Sequence, residues 1–165
     1  MGLERFHEAQ DVPGRGYAGA LRELREGRKT GHWIWYVFPQ LKGLGQSFAS
    51  VHYGLDGLAE AAAYLRDPVL GERLVEAAGV VRAHLTGPAP LSVVALMGGT
   101  VDALKLVSCM TLFRHVTRTP GPGDRPPRFA MMAEHADMIL AAARGQGYDA
   151  CRYTEEQVRR GFGLQ

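Results

Sequence analysis

The segment that constrains this chain most is Thr100 to Phe113, TVDALKLVSCMTLF. Wound as a helix, it gathers Ala103, Leu106, Val107, Met110 and Phe113 on one face. Lys105, Ser108 and Thr111 run down the opposite side, with Asp102 at the edge of that stripe. Val101, Leu104 and Leu112 flank it, so the helix is apolar nearly all round. A helix of that kind is a buried helix. Polar groups carried into the interior on it must find partners or line a cavity.

The rest of the chain has to supply the wrapping, and its apolar residues recur at helical spacing. Leu3, Phe6, His7 and Gln10 predict a first short helix, broken at Val12-Pro13-Gly14-Arg15-Gly16. Tyr17, Ala20, Leu21 and Leu24 predict a second, closed by Gly27. Ser47 is expected to cap one helix carrying Val51, Leu55, Leu58, Ala62 and Leu65. Asp67-Pro68 reads as a cap followed by proline at the first helical position. The helix it opens carries Leu70, Leu74, Ala77, Ala78 and Val81 and ends near Leu85, before Gly87-Pro88-Ala89-Pro90.

Ser92 to Met97 is a short apolar run into Gly98-Gly99, and Thr100 is expected to cap the helix from Val101 to about Val116. Phe129, Met132, Ala136, Ile139 and Leu140 predict a further helix, and Thr154 with Gln157 reads as a capping box for a last one. No hairpin signal and no βαβ glycine fingerprint argues for a sheet. The expected fold is therefore all-α, a compact orthogonal bundle of about six to eight helices around one core. The 165 residues, 46% hydrophobic and 22% charged, suit one domain over 1–165. Within it, 119–127 is a proline-rich loop and 128–162 holds the C-terminal helices.

Composition excludes several function classes. A net charge of +2 with no basic patch gives no indication of nucleic-acid binding. No apolar run approaches the roughly 20 residues of a membrane span, and the N-terminus lacks a signal design. Two cysteines, Cys109 and Cys151, make neither a disulfide framework nor a metal pattern. The six histidines form no HExxH motif, so no metal and no cofactor is expected. The expected setting is the cytoplasm.

Two segments could carry chemistry. His32 to Gln40, HWIWYVFPQ, holds both tryptophans and fits a strand or a short buried helix ending before Pro39. It is either core or a pocket wall, with Trp33 or Trp35 stacking on a planar group and His32 and Gln40 offering hydrogen bonds. The second segment is the polar stripe after Thr100. Lys105 either pairs with Asp102 three residues back, the hydroxyls bonding to the helix backbone, or faces an anion or carbonyl of a ligand. Gly43-Leu44-Gly45-Gln46-Ser47 reads as an ordinary turn, although backbone N–H groups before a helix can hold a phosphate.

Residues of both segments carry a resemblance. Phe6…Ala9-Gln10, Tyr17…Ala20-Leu21-Arg22-Glu23-Leu24, Gly27-Arg28-Lys29 and the whole run His32 to Gln40 are similar to the domain of unknown function 1810 family. So are Gly43 to Ser47, Tyr64-Leu65…Pro68-Val69-Leu70-Gly71…Arg73-Leu74, and Asp102…Lys105-Leu106…Ser108-Cys109-Met110-Thr111-Leu112-Phe113. The resemblance spans residues 3–115. It implies a compact, mostly helical bacterial domain and brings no settled activity. Cys109 stands where the family pattern has a second serine, so Ser108 alone keeps a hydroxyl there. In size, helical character and its mix of Trp, Asp and Lys, the chain also resembles small helical proteins that remove ADP-ribose from guanine in nucleic acids. No motif aligns with these, and no residue role is carried over.

Two functions are therefore expected in competition. One is binding or hydrolysis of a small molecule bearing phosphate or ribose (a nucleotide, ADP-ribose or a phosphorylated metabolite). Its pocket would lie between His32–Gln40 and the helix after Thr100. Asp102, Lys105 and His32 would be its catalytic candidates, and Trp33, Trp35, Gln40, Ser108 and Thr111 its ligand contacts. The other is a non-catalytic interaction or ligand-binding module. The position of Lys105 separates them: a concave pocket beside an indole favours the first, a flat surface shared with Asp102 the second.

Overall fold

The helix that opens at Thr100 is wrapped on most sides, as its pattern requires. It runs from Thr100 to Arg118 (α8), and Ala103, Leu106, Val107, Met110, Leu112 and Phe113 are all buried. In this computed structural model, which describes residues 2–161, α8 packs against α3 (Ile34–Val37), α5 (Leu58–Arg66), α7 (Val93–Met97), α9 (Arg128–Gly145) and α10 (Arg152–Arg159). The α9 helix also lies along α6 (Pro68–Thr86), and these are the largest interfaces of the fold. On the far side, α2 (Tyr17–Arg25) packs on α6, and α1 (Glu4–Gln10) packs on α2 and α3. Met1 and the end of the expected 128–162 span, Phe162, lie outside the described residues.

The described residues form ten helices and no strand. The all-α expectation holds. The count exceeds six to eight because α3, α7 and α4 (Phe48–His52) are single turns of four or five residues. The Asp67 cap is built as expected: its Oδ1 accepts from the backbone N–H of Val69 at 3.0 Å and of Leu70 at 2.9 Å. The segment with two alternatives, His32 to Gln40, is a helical turn rather than a strand, and it stops at Phe38 before Pro39.

Three local expectations are corrected. The single helix predicted from Ser47 is two, α4 and α5. Ser47 does cap α4, accepting from Ser50 N–H at 3.1 Å. Leu55 then leaves the helical path and forms an isolated parallel bridge with Leu41. Its N–H donates to Gln40 O and its carbonyl accepts from Lys42 N–H, both at 2.9 Å. Gly54 permits this approach, since a Cβ there would lie 2.8 Å from Lys42 Cα.

Thr100 is the first residue of α8 rather than its cap, which is Gly99. The turn before it needs glycine at 98, where φ is +76° and a Cβ would sit 2.5 Å from Lys29 O. Thr154 does not cap α10 either. Cys151 holds that position, its N–H donating to Thr111 Oγ1 at 3.0 Å, while Thr154 is buried in the first turn.

Candidate functional site

The first turn of α8 meets the segment after α2 through charge. Asp102 Oδ2 lies 2.6 Å from the ammonium of Lys29, a residue only 5% exposed. Lys105 approaches the other oxygen of Asp102 less closely, at 3.7 Å. Each lysine also lies against an indole: Lys29 Nζ is 5.0 Å from the Trp33 ring centre and Lys105 Nζ is 5.7 Å from that of Trp35. Lys29 also donates to Gly31 O. Asp102 is thus shared by two cations, and the nearer one occupies it.

The farther cation opens onto a cleft. Lys105, Gln40 and Ser108 line one concavity of about 350 Å³ whose apolar walls include Leu44, Leu104 and Val107. Cys151 and Asp149 form part of its rim. The Ser108 hydroxyl is committed, donating to Leu104 O at 2.9 Å. Gln40 differs: its backbone carbonyl is bonded by Leu55, while its side-chain amide makes no hydrogen bond to the described residues and stays open to the cleft. Trp35, beside Lys105, buries an indole N–H that has no partner among the described residues, where most buried polar groups in proteins are paired.

The remaining candidates lie elsewhere. Thr111 is fully buried, its hydroxyl donating to Val107 O at 2.7 Å and accepting from Cys151 N–H. Cys109 beside it is also in the core, where burial pushes its thiol pKa well up. The second hydroxyl of the family pattern therefore occupies a position facing away from the cleft. His32 and Trp33 border a separate cleft of about 360 Å³, with Glu23, Tyr36, Arg15 and Arg22. Trp33 is almost fully buried, and its indole N–H donates to Glu23. Burial raises the Glu23 pKa, but hydrogen bonds from Thr30, Trp33 and Gly31 outweigh it and hold the carboxyl below its ordinary value.

The single pocket expected between His32–Gln40 and α8 is therefore two clefts. Asp102, Lys105, Trp35, Gln40 and Ser108 gather around one, and His32 and Trp33 around the other. Lys29, Glu23 and Cys151 went unremarked as site residues. Lys29 and Glu23 lie inside the family-like stretch, but neither has a periodicity or motif to set it apart. Among the described residues, no group of three or more His, Cys, Asp or Glu side chains is placed to hold a metal ion, and no helix is long and apolar enough to cross a membrane.

A family model described as protein of unknown function (DUF1810) matches residues 1–124. No curated protein matches the chain. Among solved structures, the chain is similar to the conserved hypothetical protein Rv1873 from Mycobacterium tuberculosis. The two are 41% identical over 92% of each chain, with a TM-score of 0.73.

Proposed function

The chain belongs to the DUF1810 family, proteins of unknown function, and from the geometry of its own cleft we propose that it binds a small metabolite bearing phosphate or ribose, such as a nucleotide or ADP-ribose. One observation carries this reading: the amide of Gln40, which makes no hydrogen bond to the described residues, and the ammonium of Lys105 line the same cleft. A ligand that supplies an acceptor and a donor pairs with that amide in place of water. Lys105 supports the anionic half of the reading, because its partner Asp102 is held more closely by Lys29. Leu44, Leu104 and Val107 offer an apolar wall for a base or sugar face.

Lys105 lines a concave cleft and has the Trp35 indole beside it, the arrangement that favours a metabolite site. Within this reading Asp102 and Lys105 are the candidates for acid–base work, and His32 belongs to the other cleft. The cytoplasmic setting fits two free thiols. A non-catalytic module is favoured by one specific feature, the exposure of Val101 (67%) and Leu104 (48%) on the rim.

The test is a thermal-shift screen against nucleotides, ADP-ribose, sugar phosphates and NAD, with Lys105→Ala alongside. A ligand of the native state raises the melting temperature by mass action. The expected result is a shift with nucleotides or ADP-ribose that Lys105→Ala diminishes while keeping its own folding transition. A flat screen, or nucleotide and ADP-ribose shifts that the substitution leaves entirely unchanged, overturns the reading and turns attention to the apolar rim.

A further inference from the structure

The second cleft has a chemistry of its own. It shares no lining residue with the Gln40–Lys105 cleft. Arg15 reaches it from the turn between α1 and α2, Arg22 from α2, and His32 and Tyr36 from the segment around α3. Arg15, Arg22 and His32 are all exposed, and none makes an ion pair or side-chain hydrogen bond with another of the described residues. Many arginines elsewhere are engaged, for example Arg73 on Asp11, Arg114 on Glu155 and Arg128 on Glu72. The Tyr36 hydroxyl is also without a partner among the described residues, and burial raises its pKa, so it remains a phenol able to donate.

One carboxylate, Glu23, borders the same cleft, and its two oxygens are already taken. Oε1 accepts from the Thr30 N–H at 2.9 Å, the Thr30 hydroxyl and the Gly31 N–H, and Oε2 accepts from Trp33. It therefore anchors the 30–33 segment rather than neutralising the arginines. Two glycines shape the turn that carries Arg15. Gly14 has a φ of +72°, and a Cβ on Gly19 would strike Gly14 O at 2.6 Å, so α2 packs closely on that turn.

We infer that this cleft binds the phosphate group of a small phosphorylated ligand, through the guanidinium forks of Arg15 and Arg22, with His32 and the Tyr36 hydroxyl as further donors. A carboxylate is satisfied by one fork. Two forks and two additional donors match the terminal oxygens and the near-double charge of a phosphate ester. The cationic groups are confined to one concavity, and the whole chain carries only +2, which suits a small ligand better than a polyanion.

The test is a calorimetric titration in phosphate-free buffer at fixed ionic strength. The probes are inorganic phosphate and ribose 5-phosphate, with chloride as the screening control. The proteins are wild type, Arg15→Ala, Arg22→Ala, Arg22→Lys, the double alanine variant and Lys105→Ala. Both arginines are exposed, so the variants are expected to fold, and their melting curves check it. Each alanine substitution is expected to weaken phosphate binding about tenfold, with Arg22→Lys in between. Tighter binding of ribose 5-phosphate than of free phosphate assigns an ester, and equal binding assigns orthophosphate. Wild-type binding no stronger than chloride overturns the inference, as does binding that survives the double substitution. Loss in Lys105→Ala alone would instead assign the phosphate to the other cleft and overturn it as well.

Discussion

Lys29 and Asp102, 73 positions apart in sequence, meet at 2.6 Å between Nζ and Oδ2, and the lysine is the more deeply buried of the two. Their dependence on each other is unequal. Asp102 is partly solvated, sits in the first turn of α8 where the helix dipole favours a carboxylate, and has Lys105 as a second cation. Lys29 has Gly31 O and the face of Trp33 besides, but no other carboxylate partner among the described residues.

Removing the carboxylate should therefore cost more than removing the ammonium. Asp102→Ala strands a buried cation and is expected to lose about 3 kcal/mol of unfolding free energy, while Lys29→Met is expected to lose about 1 kcal/mol. Urea unfolding midpoints measure both. Equal costs would show that the pair does not depend on burial of the lysine.

Gln40 should behave in the opposite sense, as a residue whose removal strengthens the fold. Gln40→Leu replaces an amide that makes no hydrogen bond among the described residues with an apolar group of similar size, in a residue only 6% exposed. The expected gain is at most about 1 kcal/mol, or a melting temperature higher by up to about 2–4 °C. Ligand-induced shifts should disappear in the same variant. A loss of stability would mean that the amide has a structural partner in solution.

Acid should destabilise the protein in two stages. His135 lies beside Arg82, with Nδ1 and Nη1 3.4 Å apart, and burial followed by the Arg82 charge lowers its pKa below 6.5. The unfolded chain then binds more protons than the native one in this range. The stability from neutral His135 is complete above pH 6.5 and is lost as pH falls through the native pKa. Glu155 is raised by burial but lowered further by hydrogen bonds and charge from His115 and Arg114, and its stabilisation is lost below about pH 4.5. Melting temperatures from pH 8 to 4 record both stages. His135→Gln should abolish the early slope and leave the later one.

The two thiols provide a reporter for the cleft. Cys109 is fully buried and Cys151 is half-buried on the rim of the Gln40–Lys105 cleft. A thiol reagent should titrate one cysteine in the native protein and two in denaturant. Occupancy of the cleft should slow the native reaction. Two fast thiols without denaturant would contradict the buried position of Cys109.

The helices were legible wherever a periodic apolar face and a cap coincided, as at Asp67-Pro68 and along Phe129 to Leu140. The break between α4 and α5 was not, because Leu55 keeps helical spacing with Val51 and Leu58 while its backbone pairs with Leu41. That pairing is tertiary and overrides local periodicity. Around the candidate site, the meeting of Lys105 with Asp102 followed from a three-residue spacing on one helix. The placement of Gln40 beside Lys105 and of Lys29 on Asp102 depends on how α3 and the 27–31 segment dock against α8, which no local pattern encodes. For the same reason His32 could not be separated from Gln40 in sequence, although a helical turn and Pro39 lie between them and direct them to different clefts.

The Leu41–Leu55 bridge has a consequence for how the cleft meets a ligand. It fastens the backbone immediately after the Gln40 side chain, through Gln40 O and Lys42 N–H on either side of Leu41. The main chain that carries the amide is therefore already fixed before anything arrives, and little backbone entropy remains to be surrendered on association. Recognition at this position should be rigid and selective, rejecting ligands whose polar edge is misplaced by a single atom instead of adapting to them.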